Sequence, residues 1–115
     1  MISTGADLLS GRSQPTIAAL DAAEAARLLT LTPGWTLEGG KLARAFTFKN
    51  HYRTMAFVNA LAYLSHTEDH HPEMTVTYNR CIVRYDTHSA HGLTANDFIC
   101  AAKAGALFDQ AEARS

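Results

Sequence analysis

The chain has 115 residues, of which 47% are hydrophobic, and its 10 Lys and Arg against 11 Asp and Glu give a formal charge of −1. That length suits one domain, and that apolar share can build a core without disulfide or metal staples. The even charge balance excludes the basic footprint of a nucleic-acid or polybasic membrane binder, and no apolar run approaches the roughly 20 residues of a membrane span.

Residues 1–19 are rich in Ser, Thr, Gly and Pro and read as a flexible tail. They lack the positive start and long apolar centre of a secretory signal, so a cytoplasmic setting is expected. Residues 20–115 are expected to form a single domain. Asp21 is placed to cap a first helix, with Glu24 three residues later in the capping-box arrangement. Leu28 and Leu31 continue its apolar face, and the sequence TPG at 32–34 ends it. Residues 35–49 read as a hairpin. Gly39-Gly40 supply the positive φ angles of a tight turn, and Leu42, Phe46 and Phe48 alternate on one side. Asn50 can cap a long helix in which Phe57, Val58, Leu61 and Leu64 recur at helical spacing. Beyond it, residues 74–88 are β-rich: Cys81, Val83 and Tyr85 alternate against Ile82, Arg84 and Asp86, and the slip near Asn79-Arg80 implies a turn or bulge. A last helix opens at Thr94 and turns Ile99, Ala102, Ala106 and Leu107 inward. The order α-β-β-α-β-β-α, with hairpins in place of crossovers, predicts an α+β fold: a four-stranded antiparallel sheet with three helices packed on one face.

The chemistry is concentrated in the histidines. Of the six, five fall between His66 and His91. The run EDHHPEM at 68–74 places His70 and His71 where a helix ends, and His88 falls at the end of a strand. Element ends can turn side chains into a shared cleft while the scaffold stays rigid. Imidazoles give and take protons near neutral pH, so His70, His71 and His88 suit a reaction that moves a proton without a metal or a covalent intermediate. The rival reading is a metal-dependent hydrolase, since His66 and His70 stand four apart on a helix. HTEDH is not the H-E-x-x-H of zinc proteases, however, and no cysteine pair completes a structural zinc site. Cys81 and Cys100 read as small buried hydrophobes, and no Gly-rich phosphate loop or nucleophile elbow is present.

The stretch HTEDHHPEMTVTYNRCIVRYDTHSAHGLTANDF resembles the pattern of the pterin-4a-carbinolamine dehydratases. It carries His66, His70-His71-Pro72, Tyr78, Thr87-His88 and Asp97 at the family's spacing. The sequences PGW at 33–35 and KLARAFTFKN at 41–50 resemble the family too, and the likeness spans about residues 20–107. Met74 stands where the family often has Trp, and His66 where it often has Glu. The resemblance implies a hydro-lyase, a 4a-hydroxytetrahydrobiopterin dehydratase. Such an enzyme dehydrates a 4a-hydroxytetrahydropterin to the quinonoid dihydropterin in tetrahydrobiopterin recycling, downstream of an aromatic amino-acid hydroxylase. It implies catalysis by His70 and His88 with His71 positioning the substrate, and a pterin pocket that also draws on Pro72, Thr87, Ser89, Trp35 and His66. It implies no cofactor, no metal, and assembly as a homodimer or homotetramer. Asp97 is also explained as a helix cap through Thr94-x-x-Asp97. The alternative class is a non-catalytic interaction protein of the transcriptional-cofactor type.

Overall fold

The computed structural model describes residues 1–15 and 17–113. Thr16 of the expected tail and Arg114 and Ser115 of the expected domain lie outside the described residues. Among the described residues, four helices and four strands follow one another as α1 (Gly5–Ser10), α2 (Ala22–Leu29), β1 (Thr36–Glu38), β2 (Lys41–Thr47), α3 (His51–Glu68), β3 (Glu73–Val76), β4 (Arg80–Tyr85) and α4 (Ala95–Ala113), with a 3₁₀ turn at His88–Ala90 before α4. The sheet is antiparallel throughout, in the order β1-β2-β4-β3. The expected α+β architecture is present, with one helix more than the sequence implied.

Strand alternation decides what the sheet buries. Leu42 and Phe46 of β2 and Cys81, Val83 and Tyr85 of β4 are buried against the helices. On the opposite face Lys41 meets Glu73 at 3.2 Å and Arg84 meets Glu38 at 3.5 Å. Phe46 anchors an aromatic cluster with Trp35, Phe57 and Phe108, its ring centroid 5.9, 4.7 and 5.0 Å from theirs. A side chain such as Phe46, 1% exposed, contributes on the order of 1.5–3 kcal/mol by leaving water. The two hairpins close as their residues dictate. Gly39 and Gly40 take φ of 57° and 81°, and the slip in β alternation is a turn in which Thr77 N–H donates to the Arg80 carbonyl at 2.9 Å.

Within the expected tail, residues 5–10 form a helix. Thr4 caps α1 by accepting from Asp7 N–H, and the Asp7 carboxylate returns the bond to the Thr4 backbone. Leu8 is fully buried in the core. One reciprocal cap and one leucine thus order a segment whose Ser and Gly content suggested mobility. The box expected at Asp21 and Glu24 forms only in half: Asp21 accepts from Glu24 N–H, while the Glu24 carboxylate binds Arg27.

Candidate active site

The site is built from the way α3 ends. Asn50 caps the start of the helix by accepting from Arg53 N–H. At the far end Asp69 adopts the left-handed conformation, φ 50°, which Asp tolerates better than most side chains. The His70 N–H then donates back to the Ser65 carbonyl at 3.1 Å, and Pro72, which has no N–H and a fixed φ, prevents further helix. The chain reverses within residues 69–72 and enters β3 at Glu73. His70 and His71 are carried on that reversal.

Across from them, β4 ends at Tyr85 and a closed loop follows. Thr87 N–H donates to the Gly92 carbonyl at 3.0 Å, Gly92 N–H returns to Thr87 at 3.4 Å, and His91 turns the chain at φ 58°. His88 and Ser89 stand on the outside of this loop. Together the two reversals line a cleft of about 510 Å³ with Asp69, His70, His71, Pro72, Glu73, Asp86, Thr87, His88 and Ser89. That volume lies within the usual range for small-molecule sites, about 300–1,000 Å³.

One imidazole is fixed. His70 Nε2 lies 2.6 Å from Asp97 Oδ1, and the His70 side chain is only 12% exposed while Asp97 is fully buried. Asp97 Oδ2 also accepts from Thr87 Oγ1 at 2.8 Å and from Thr94 N–H at 2.9 Å. Because the Thr87 hydrogen is directed at the carboxylate, the 2.8 Å contact between the two threonine hydroxyls is Thr94 donating to Thr87. A carboxylate can only accept, so His70 carries its proton on Nε2 and Nδ1 is left as the ring's acceptor in the neutral form. Tyr85 stacks on the His70 ring, with centroids 5.8 Å apart and planes within 10°. Burial pushes the Tyr85 phenol above its ordinary pKa, so this wall stays uncharged. His71 and His88 are exposed to the cleft.

Six of the expected site residues therefore converge: His70, His71, Pro72, Thr87, His88 and Ser89. Two do not. Trp35 is buried between Phe46 and Tyr85, 5.9 Å from each, and reaches the site only through the Tyr85 ring. His66 lies one helical turn before His70, facing solvent near Tyr63, because the left-handed turn at Asp69 carries His70 off the face that His66 occupies. Thr87 lines the cleft, but its hydroxyl hydrogen is held by Asp97. Tyr78, part of the family pattern, is 67% exposed and stacks on His51 at 5.6 Å, away from the cleft. The role of Asp97 toward His70 was hidden by its cap spacing, since nothing local to either residue signals a contact across 27 positions. Tyr85 read as ordinary inward alternation.

Comparisons with known proteins agree on one family. Residues 18–107 match the family model described as Pterin 4 alpha carbinolamine dehydratase. A Bdellovibrio bacteriovorus protein, provisionally named a pterin-4-alpha-carbinolamine dehydratase, is 51% identical over 105 residues, covering 88% of each chain. A protein of the same provisional name from Stenotrophomonas maltophilia strain R551-3 is 58% identical over 93 residues, covering 79% of this chain and 80% of its own. The crystal structure of a Brucella melitensis protein, described as a transcriptional coactivator/pterin dehydratase, superposes with a TM-score of 0.74 at 33% identity, covering 77% of this chain and 97% of its own.

Proposed function

The chain belongs to the pterin 4 alpha carbinolamine dehydratase family, and from that membership we propose that it dehydrates a 4a-hydroxytetrahydropterin to the quinonoid dihydropterin by histidine acid–base catalysis. The observation that carries the mechanism is the His70–Asp97 contact. In the reaction the C4a–O bond breaks, the oxygen leaves as water after gaining a proton, and N5 loses its proton as the C4a=N5 double bond forms. Hydroxide leaves badly, so one group protonates it while another accepts the N5 proton.

His70 suits the second task. Asp97 fixes the ring orientation and its Nε2–H, which leaves Nδ1 to take the proton, and the buried carboxylate faces the imidazolium that results. His88, on the opposing loop, is assigned the proton delivered to the 4a-hydroxyl. His71 holds the substrate against Pro72 and Ser89. Positioned proton transfer is worth about 10²–10⁴-fold, enough for a substrate that also dehydrates unaided. No metal or organic cofactor is assigned a part in these steps. The enzyme would serve tetrahydrobiopterin recycling after an aromatic amino-acid hydroxylase, in the cytoplasm and as a homodimer or homotetramer.

The test is stopped-flow dehydration of 4a-hydroxytetrahydropterin with wild type and with a His70→Ala, His88→Ala double variant, in chelator. Acceleration that survives chelation and is lost in the folded double variant supports the reading. A wild-type protein that gives no acceleration ends it. The Brucella melitensis protein is described as a coactivator as well as a dehydratase, and in that outcome a partner-binding role becomes the better account.

A further inference from the structure

We propose that residues 12–14 form a strap that sets the spacing between His70 and Asp97, with Glu68 and Asn96 as its anchors and therefore as positioning residues for the reaction. The inference rests on the assignment of His70 given above. It concerns a segment that precedes the start of the family match at residue 18.

The His70–Asp97 bond joins two helix ends. His70 follows the C-terminus of α3, and Asp97 stands in the first turn of α4. Direct packing of α3 on α4 along their length does not by itself fix a bond at their extremities, where helices fray. The strap acts there. Ser13 N–H donates to Glu68 Oε1 at 2.8 Å, and Arg12 Nε meets Glu68 Oε2 at 3.0 Å. Arg12 Nη2 also donates to the Thr67 carbonyl at 3.1 Å, satisfying one of the last acceptors of α3. One residue on, Gln14 N–H donates to Asn96 Oδ1 at 2.9 Å while Asn96 Nδ2 donates to the Gln14 carbonyl at 2.8 Å. The Asn96 amide thus mimics a neighbouring strand, pairing both polar groups of one backbone residue.

Consecutive residues of one extended segment therefore grip position 68, two residues before His70, and position 96, one residue before Asp97. Both anchors are buried, Glu68 at 6% and Asn96 at 4% exposure, in an environment where such bonds gain strength. Lys103 of α4 adds a longer contact to Glu68 at 3.6 Å. Burial alone would raise the Glu68 pKa, but the Ser13 N–H, Lys103 and Arg12 outweigh it and hold the carboxyl below its ordinary value. The anchor is thus charged at neutral pH. Neither Glu68 nor Asn96 lines the catalytic cleft, so any effect on turnover runs through His70 and Asp97.

The experiment is Asn96→Ala in the full chain, which removes both Gln14 bonds and leaves Asp97 and a good helix former in place, with Glu68→Ala as the second variant. Two readouts are taken: kcat and KM for the dehydration, and the long-range ¹H–¹⁵N spectrum of the imidazoles. In wild type, His70 should show one tautomer protonated on Nε2. In both variants that pattern should move toward the averaged pattern of an exposed histidine, and kcat should fall about tenfold with KM unchanged, short of the ~10²-fold that a 1 Å misplacement can cost. Leu8→Ala, which destabilises α1 against α4 without touching the strap, should leave the His70 spectrum and kcat as in wild type. The proposal is overturned if both strap variants keep the wild-type His70 spectrum and kcat, or if Leu8→Ala disturbs them equally. Should the wild type fail to accelerate the dehydration, the reaction assignment falls, and the His70 spectrum alone still decides whether the strap positions the ring.

Discussion

Replacing Asp97 by Asn is the sharpest perturbation of the site, because it changes charge and donor pattern with almost no change in volume. The native carboxylate accepts three bonds: from His70 Nε2–H at 2.6 Å, from Thr87 Oγ1 at 2.8 Å and from Thr94 N–H at 2.9 Å. An amide has one oxygen and one NH₂. Two donors converge on the Oδ2 position, so the amide oxygen settles there and the NH₂ turns toward His70. Nε2 must then accept, the imidazole proton moves to Nδ1, and the nitrogen assigned as base becomes a donor. Bonds to a charged group are worth about 1.5–3 kcal/mol against about 0.5–1.5 kcal/mol for neutral ones. At a loss of about 1–1.5 kcal/mol for each of the three bonds, the exchange should cost about 3–4.5 kcal/mol of stability, which denaturant unfolding would read. The kinetic loss should be far larger in effect: about 10²–10⁴-fold in kcat, the worth of a positioned proton acceptor, measured by stopped flow at saturating substrate well below the unfolding midpoint. ¹⁵N shifts should report the reversed tautomer in the same sample. A folded Asp97→Asn protein that retained wild-type kcat would refute the tautomer argument, whatever its stability.

Further outcomes follow from the same geometry. His88→Ala should lower kcat by about 10²–10⁴-fold, whereas His71→Ala, which removes a ring assigned to holding the substrate, should raise KM several-fold and spare kcat in steady-state assays. Burial pushes the Cys81 thiol up to about 11 and the Cys100 thiol up to about 12, so neither should react with a disulfide reagent at pH 8 until the protein is denatured. Because both pKa values are raised on folding, the stability they contribute is complete below the unfolded thiol pKa of about 8.5. It should be lost as pH rises toward 11–12, and a Cys81→Ala, Cys100→Ala variant should show a shallower alkaline decline in unfolding free energy. Gly34→Ala should cost about 1–3 kcal/mol in thermal unfolding. Gly34 holds φ at 90°, and an added Cβ would sit 2.9 Å from the Arg44 guanidinium carbon, which packs 4.5 Å over the Phe46 ring.

What could be read from the chain in advance was what is local in it. The Asn50 cap, the Gly39-Gly40 turn and the arrest of a helix by Pro72 each depend on a few adjacent residues, and each forms as expected. That His70 and His88 line one cleft was legible because each histidine stands at an element end. The Asp97 contact was not, because Thr94-x-x-Asp97 already had a sufficient local explanation, and only docking of α4 on α3 turns Asp97 toward His70. Trp35 was placed at the pocket by analogy, yet the turn that closes through Trp35 N–H and the Thr32 carbonyl carries it into the core beside Phe46. The helix at residues 5–10 was missed for a related reason. Its cap between Thr4 and Asp7 was visible, but so short a helix does not persist without a tertiary contact, here the one that Leu8 makes.

The strap also has a history within each molecule's synthesis. Gln14 and Asn96 are 82 positions apart, so at about 5–20 residues per second the strap is made roughly 4–16 s before its second anchor exists. During that interval the four strands can pair, since all of them precede α4 in the chain, while α3 still lacks the helix it packs against. The stretch GRSQP at 11–15 contains no apolar side chain other than one proline, so it offers neighbouring nascent chains little to stick to while it waits. Only when α4 has left the ribosome can residues 12–14 close over both helix ends, so this segment waits for an anchor made 82 positions after it.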